Sequence, residues 1–245
     1  MKSTERFNQR AGDYAVGRPS YPEASIDVLF AGLGDPSRLT IVDLGAGTGI
    51  STRLLAARGV NTIAVEPNAA MREQAGAIAG VTWSAGTGEQ TGLDDGCADL
   101  VTAFQAFHWF DATTALAEIV RVLRPAGRAA LVYNERDESD AFTADYGAIV
   151  RRYATDRTER RRSDGRSTFA AFDGWRSVRT TEIPNAQELD RAGLHARTGS
   201  TSYLPREGLE SEALHADVAR LFDRYAAGGM VIMRMKTIVT IADRA

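Results

Sequence analysis

The sequence predicts an α/β fold: a doubly wound, mostly parallel seven-stranded sheet in a single domain, with an N-terminal helical arm over residues 1–36 and an inserted cap over 138–192. Three observations carry this. Short apolar runs alternate with segments of helical periodicity from Pro22 to Tyr133, the pattern of a parallel sheet with right-handed crossovers. One of those runs, Ile41–Leu44, stops at an acid and breaks into alternating glycines, I-V-D-L-G-A-G-T-G, before a helical stretch. A β-branched apolar run, Met230–Ile241, closes the chain and reads as a strand lying antiparallel at the far side of the sheet.

The elements follow in order. Residues 1–20 are polar with isolated anchors at Phe7, Tyr14 and Val16, and are either a frayed helix or a lid over the glycine corner. Pro22 to Leu33 has Ile26, Leu29, Phe30 and Leu33 at helical spacing, with proline suited to the first turn. Leu39–Leu44 is the first strand, and Ser51–Arg58 a helix closed by Gly59. Thr62–Val65 is the second strand, Asn68 caps a helix to about Ala79, and Val81–Ser84 is the third strand. Asp99–Phe104 is the fourth, Ala112–Leu123 a helix ended by Pro125 and Gly127, and Arg128–Tyr133 the fifth strand. Regularity then lapses. Phe142–Ala154 reads as a helix, Ser163–Ser167 as a loop, Gln187–Ala192 as a short helix, Leu194–Tyr203 as a sixth strand and Glu207–Ala227 as a long helix.

Bulk properties exclude several classes. The 245 residues are 44% apolar and 25% charged, ordinary for a soluble globule. A net charge of −3 provides no overall attraction to nucleic acid or anionic membrane. One cysteine, Cys97, rules out an internal disulfide, and three scattered histidines offer no metal site. No apolar run approaches the roughly 20 residues of a membrane span, and the first residues lack a signal-peptide core. The expected setting is cytoplasmic, as a monomer or homodimer with a small-molecule substrate and no bound metal.

The glycine corner is the candidate binding site. Glycines let the backbone approach a ligand closely, and free N–H groups of the following turn face it. Gly45, Gly47 and Gly49 give G-x-G-x-G, and Ile50 stands where a G-x-G-x-x-G dinucleotide corner would have glycine. A nicotinamide-dependent dehydrogenase would need that spacing to be misread. Glu66 lies 21 residues after Gly45, at the end of the second strand, where a carboxylate can meet both hydroxyls of a ribose. The alternative is an acid that starts a turn before Pro67.

The combination D-L-G-A-G-T-G, V-E-P-N-A-A-M, G-T-G-E and A-F-H-W-F-D resembles the class I S-adenosylmethionine-dependent methyltransferases, with their Rossmann-like sheet. More narrowly, with R-F-N-Q-R-A-G-D-Y-A-V-G-R-P-S-Y-P and G-S-T-S-Y-L-P, it resembles the small-molecule group that includes trans-aconitate methyltransferase-like enzymes. The resemblance implies S-adenosylmethionine as cofactor and transfer of its methyl group, by in-line displacement, to a small molecule, at an oxygen of a carboxylate or hydroxyl. It implies that Asp43 and the turn Gly45, Ala46, Gly47, Thr48 and Gly49 hold the methionine part, and that Glu66 binds the ribose. Pro67 and Met71 would flank the adenine, and Thr87, Gly88 and Glu89 would reach its edge. Thr87 departs from the aspartate common there and would accept the adenine amino hydrogen bond as a neutral hydroxyl. Gln105 would contact the methionine end. Tyr14 and Arg18 of the arm would fold over the cofactor, which favours the lid reading of that segment.

The resemblance leaves the acceptor open. His108 is the general-base candidate; otherwise His108, Trp109 and Phe110 pack the entrance to a helix capped by Asp111. Tyr21, Trp109, Glu135 and Tyr203 are the expected substrate-binding residues. Arg151, Arg152, Arg157, Arg160, Arg161, Arg162 and Arg166 form a basic concentration interleaved with acids. It reads first as a solvated helix, with an anionic substrate or nucleic acid as alternatives. A nucleic-acid methyltransferase and a non-catalytic S-adenosylmethionine-binding protein are the competing functions.

Overall fold

The computed structural model describes residues 18–156 and 158–245. Tyr14, Phe7, Val16 and Arg157 lie outside the described residues. The architecture is the expected one: a seven-stranded, mostly parallel sheet flanked by helices. Its elements are α1 (Glu23–Phe30), β1 (Thr40–Leu44), α2 (Ile50–Ala56), β2 (Asn61–Val65), α3 (Ala69–Ala75), β3 (Val81–Ser84) and β4 (Ala98–Phe104). A 3-10 turn, Phe107–Trp109, precedes α4 (Ala112–Val122) and β5 (Leu123–Arg136). Then come α5 (Ala141–Tyr153), α6 (Thr158–Ala170), β6 (Trp175–Leu189), α7 (Arg191–Gly199), α8 (Gly208–Tyr225) and β7 (Val231–Arg244).

The strand order is β3-β2-β1-β4-β5-β7-β6. The first five strands pair in parallel, and β7 runs antiparallel between β5 and β6. The closing strand is therefore antiparallel as expected, but it is interior rather than at the edge. Neighbouring residues of the central strands enter opposite cores, as a sheet covered on both faces requires. Ile41, Leu100 and Val132 join Ile26 and Leu29 of α1 on one side. Val42, Val101 and Leu131 meet Leu116, Ile119 and Val122 of α4 on the other. Within the described part of the arm, α1 is thus a core helix.

The C-terminal half corrects three expectations. The supposed loop at 163–167 lies inside α6, a helix polar all round that buries only Thr158 and Phe169 and so shows no apolar stripe. The supposed short helix at 187–192 is split: Gln187 to Leu189 end β6, an edge strand exposed along most of its length, and Arg191 and Ala192 begin α7. The supposed sixth strand at 194–203 is mainly α7, whose first turn is capped by Asp190 accepting from the Gly193 amide at 2.6 Å. The sheet still has seven strands because β6 supplies the missing one. The expected cap interval therefore contains a strand of the main sheet.

Strands β5, β6 and β7 are the long ones, and they carry a second core. Met233 and Met235 of β7 pack with Phe142, Tyr146 and Val150 of α5, Leu194 of α7, and Leu214, Val218 and Leu221 of α8. Helix α6 anchors in the first core: Phe169 sits against Phe107 and Trp175 with ring centroids 5.9 and 5.3 Å away. Among the described residues, no helix is long and apolar enough to cross a membrane.

Candidate active site

The glycine turn connects β1 to α2. Gly45, Gly47 and Gly49 have φ of +66°, +57° and +78°, a region that an L side chain enters only with strain. The turn lies close to the end of β4, for a Cβ on Gly45 would stand 2.6 Å from that of Ala106. Two amides of the turn, Gly45 and Ala46, donate to the Val65 carbonyl at 2.8 and 3.1 Å. Glu66, the next residue, accepts from the Gly47 amide at 3.0 Å and from the Asn68 amide at 2.9 Å. Burial lifts its pKa, with those two amide bonds acting in the opposite direction.

Two cavities meet at this turn. The smaller, about 140 Å³, lies on the β2–β3 side between Glu66, Met71, Gly88 and Phe110. The larger, about 330 Å³, lies under α5, α6 and α7 and is here called the cap cavity. Gly45, Gly47, Phe104 and Gln105 belong to both walls. Both cavities sit at the carboxyl ends of the parallel strands, where open α/β sheets bind ligands. Gln105 adopts φ +52°, which is strained for its type. Its amide nitrogen donates to the Asn134 carbonyl at 2.9 Å, and its oxygen is buried without a partner.

A family model described as a methyltransferase domain matches residues 42–131, the segment from β1 into β5 that contains the turn. An uncharacterised methyltransferase of Mycobacterium bovis is 41% identical over 147 residues, which cover 60% of this chain and 59% of that protein. A methyltransferase-like protein of Schizosaccharomyces pombe is 31% identical over 217 residues, or 86% of this chain and 84% of its own length. The chain belongs to the methyltransferases. A solved structure described as a type II methyltransferase, from Anaeromyxobacter dehalogenans, superposes with a TM-score of 0.72 at 25% identity, covering 93% of this chain and 97% of that one.

The two cavities bring most of the expected residues together. Glu66, Pro67, Met71, Thr87, Gly88, Glu89 and Trp109 line the smaller cavity. Arg18, Tyr21, Ala46, Thr48, Glu135 and Tyr203 line the cap cavity. Tyr21 also stands edge-on to Phe104, with ring centroids 4.8 Å apart. Three expectations are corrected. Asp43 reaches neither cavity: it is fully buried and accepts from Ser51, Thr52 and Thr102 hydroxyls at 2.8, 2.7 and 3.0 Å. It clamps β1 to α2 and β4, and burial raises its pKa to about 6. Gly49 also lies outside both walls and serves the turn, facing Ile78 and Arg53.

His108 is the third correction. It is buried behind the turn, where its Nδ1 lies 3.4 Å from the Tyr133 hydroxyl, and it borders a separate recess shared with Arg161 and Asp164. Burial, aided by the charges of Arg162, Arg18 and Arg161, holds its pKa well below the ordinary value. The packing alternative describes it: Asp111 caps α4 by accepting from the Thr114 amide at 2.9 Å.

Sequence reasoning missed the cap side of this methyltransferase. Arg136, Glu138, Tyr146, Glu159 and Arg197 line the cavity without having been singled out for it. Arg151, Arg162 and Arg166 were visible as a basic run, but they face inward rather than only into solvent. Among the described residues, no group of three or more metal-ligating side chains converges.

Proposed function

We propose that this methyltransferase moves a methyl group from S-adenosylmethionine to an oxygen of a small molecule held in the cap cavity. The observation that carries the reading is the junction of the two cavities across Gly45, Gly47, Phe104 and Gln105. On this reading the donor and the acceptor occupy compartments on either side of one turn of positive φ.

The residues present fit the donor. Glu66 accepts one backbone bond on each oxygen, and a carboxylate has about four acceptor sites, so capacity remains for ribose hydroxyls. Met71 and Pro67 offer apolar surface to a base. Phe110 offers a flat wall, and Gly88 is what allows its approach: a Cβ there would stand 2.7 Å from the ring. The Thr87 hydroxyl already accepts from the Glu89 and Gln90 amides at 3.3 and 3.1 Å, so its own proton is the group left for the adenine edge. Arg18, on the cap side, suits the methionine carboxylate.

When bound, this donor supplies a methyl group on a cationic sulfur that an acceptor oxygen can displace in line. The chain's part is alignment and exclusion of water, and orientation of this kind can contribute roughly 7–11 kcal/mol. Among the described residues, no carboxylate free of an arginine lines the cap cavity. The carboxylates in the cap cavity are all engaged by arginines: Glu135 by Arg166, Glu159 by Arg136 and Glu138 by Arg151. A carboxylate held by guanidinium is a weak base, which favours an acceptor oxygen that arrives ionised, a carboxylate in preference to a hydroxyl.

The test is calorimetric titration with S-adenosylhomocysteine. Wild type should bind it stoichiometrically. Gly47→Arg should fold, at a cost of roughly 1–2 kcal/mol for a side chain at positive φ, and not bind, because a Cβ at Gly47 meets nothing within 4 Å and a longer side chain there fills the junction. Absence of binding to wild type, or equal binding to both proteins, would sink the reading.

A further inference from the structure

The cap cavity carries more positive charge than its own acids and the donor can balance. Six arginines line it: Arg18, Arg136, Arg151, Arg162, Arg166 and Arg197. Against them stand Glu135, Glu138 and Glu159, an excess of three positive charges. S-adenosylmethionine adds to the excess, since its carboxylate is offset by its ammonium and its sulfonium remains.

The ion pairs show where the excess resides. Arg166, Arg136 and Arg151 consume the three glutamates. Among the described residues, neither Arg162 nor Arg197 has a carboxylate within ion-pair distance. Arg197 turns Nε and one terminal nitrogen to the thioethers of Met233 and Met235, at 3.1 and 3.8 Å, which are weak acceptors. Among the described residues its other terminal nitrogen has no hydrogen-bond acceptor. Arg162 lies 5.9 Å from the Tyr203 ring centroid, and among the described residues its terminal nitrogens likewise have no acceptor. Both residues line the cavity, one from the polar helix α6 and the other from α7. Hydroxyls of Ser163 and Thr201 share that wall.

We infer that Arg162 and Arg197 form an oxyanion subsite that grips a second acidic group of the acceptor, distinct from the oxygen that is methylated. This rests on the proposed function, and the group it takes is a carboxylate or a phosphate. Guanidinium forks are suited to both. A carboxylate clamped between two arginines is a poor nucleophile, so the clamped group is the handle and the reacting oxygen lies toward Gln105. On transfer the carbon–sulfur bond breaks with its electron pair going to sulfur, and the new carbon–oxygen bond removes one negative charge from the acceptor. The handle keeps its own charge throughout. Because α6 is fastened to the core through Phe169 and to β5 through the Glu159–Arg136 and Arg166–Glu135 ion pairs, an acceptor bound by Arg162 would add a further tie holding α6 over the chamber.

The experiment uses the full chain saturated with S-adenosylhomocysteine and titrated at constant ionic strength, with succinate in one arm and inorganic phosphate in the other. At least one anion should bind to wild type, and the arm that binds identifies the handle. Arg162→Gln and Arg197→Gln should each weaken that binding at least tenfold while leaving the S-adenosylhomocysteine affinity within about twofold. If Arg197→Gln does not fold, Arg162→Gln on the polar helix decides alone. The inference is overturned if neither anion binds wild type, if the variants bind as wild type does, or if the anion competes with S-adenosylhomocysteine, which would make the site the cofactor's own. Repeating the anion titration without the nucleoside separates the two proposals. A protein that binds anion but never S-adenosylhomocysteine keeps the subsite and loses the donor.

Discussion

Replacing Asp43 with asparagine should stabilise the protein at neutral pH and flatten one part of its pH dependence. Asp43 is fully buried, and burial raises its pKa from 3.8 to about 6 against the opposing pull of three hydroxyl donors. In the unfolded chain the carboxyl returns to its ordinary value. Between about pH 4 and pH 6 the native state therefore holds the proton that the unfolded state has released. Stability from this group is fully present below pH 4 and is lost as pH rises through 6. A shift of about two units at 1.36 kcal/mol each gives a loss of about 3 kcal/mol. Asparagine keeps the shape, its carbonyl can accept the Ser51 and Thr52 hydroxyls, and it cannot ionise. Urea unfolding of both proteins at pH 4, 5, 6 and 7 is the assay. The stability of Asp43→Asn relative to wild type should rise by up to about 3 kcal/mol across that range, most of it between pH 4 and 6. A difference that stays constant with pH would refute the argument that Asp43 is an ion buried at a cost.

Two further predictions concern the cavity walls. Glu66→Ala removes the acceptor of the Gly47 amide and of the ribose hydroxyls, so S-adenosylhomocysteine affinity should fall by about 1.5–3 kcal/mol, or roughly 10- to 150-fold. Equal affinity by calorimetry would contradict the ribose role. His108, buried beside Tyr133 and facing the charges of Arg162 and Arg161, should take up a proton only at a pH well below the ordinary histidine range. Its imidazole resonance, identified by its loss in His108→Asn, would show this in a proton NMR titration, and a midpoint at or above the ordinary histidine value would overturn the placement.

The N-terminal half was legible because local chemistry and tertiary placement agree there. Strands buried on both faces show as continuous apolar runs, and the caps Asn68 and Asp111 stand where their helices begin. The C-terminal half was not. Residues of β6 such as Arg179, Thr180 and Glu182 carry no apolar alternation because the strand is an exposed edge; it is a strand because it pairs with β7. Helix α6 has no apolar stripe because it shields a polar chamber rather than a core. The signal for α7 was present in Asp190 as its cap, but Gly193, which sits in that helix's first turn, read as a terminator.

The sequence by itself determined the fold class and the donor corner. Three glycines at alternate positions after an apolar run permit the tight turn of positive φ found there, and Glu66 follows at the end of the next strand. Only the tertiary structure decided which side chains that corner uses. Asp43 precedes the turn yet points into the protein, because the alternation of β1 turns it toward Ser51, Thr52 and Thr102. Arg18, Arg136, Arg162 and Arg197 are scattered along the chain yet share one cavity, because the extended strands β5 and β7 bring α5, α6 and α7 over it. Local sequence fixes the backbone of a turn; the surplus of charge in a chamber exists only after distant segments have packed around it.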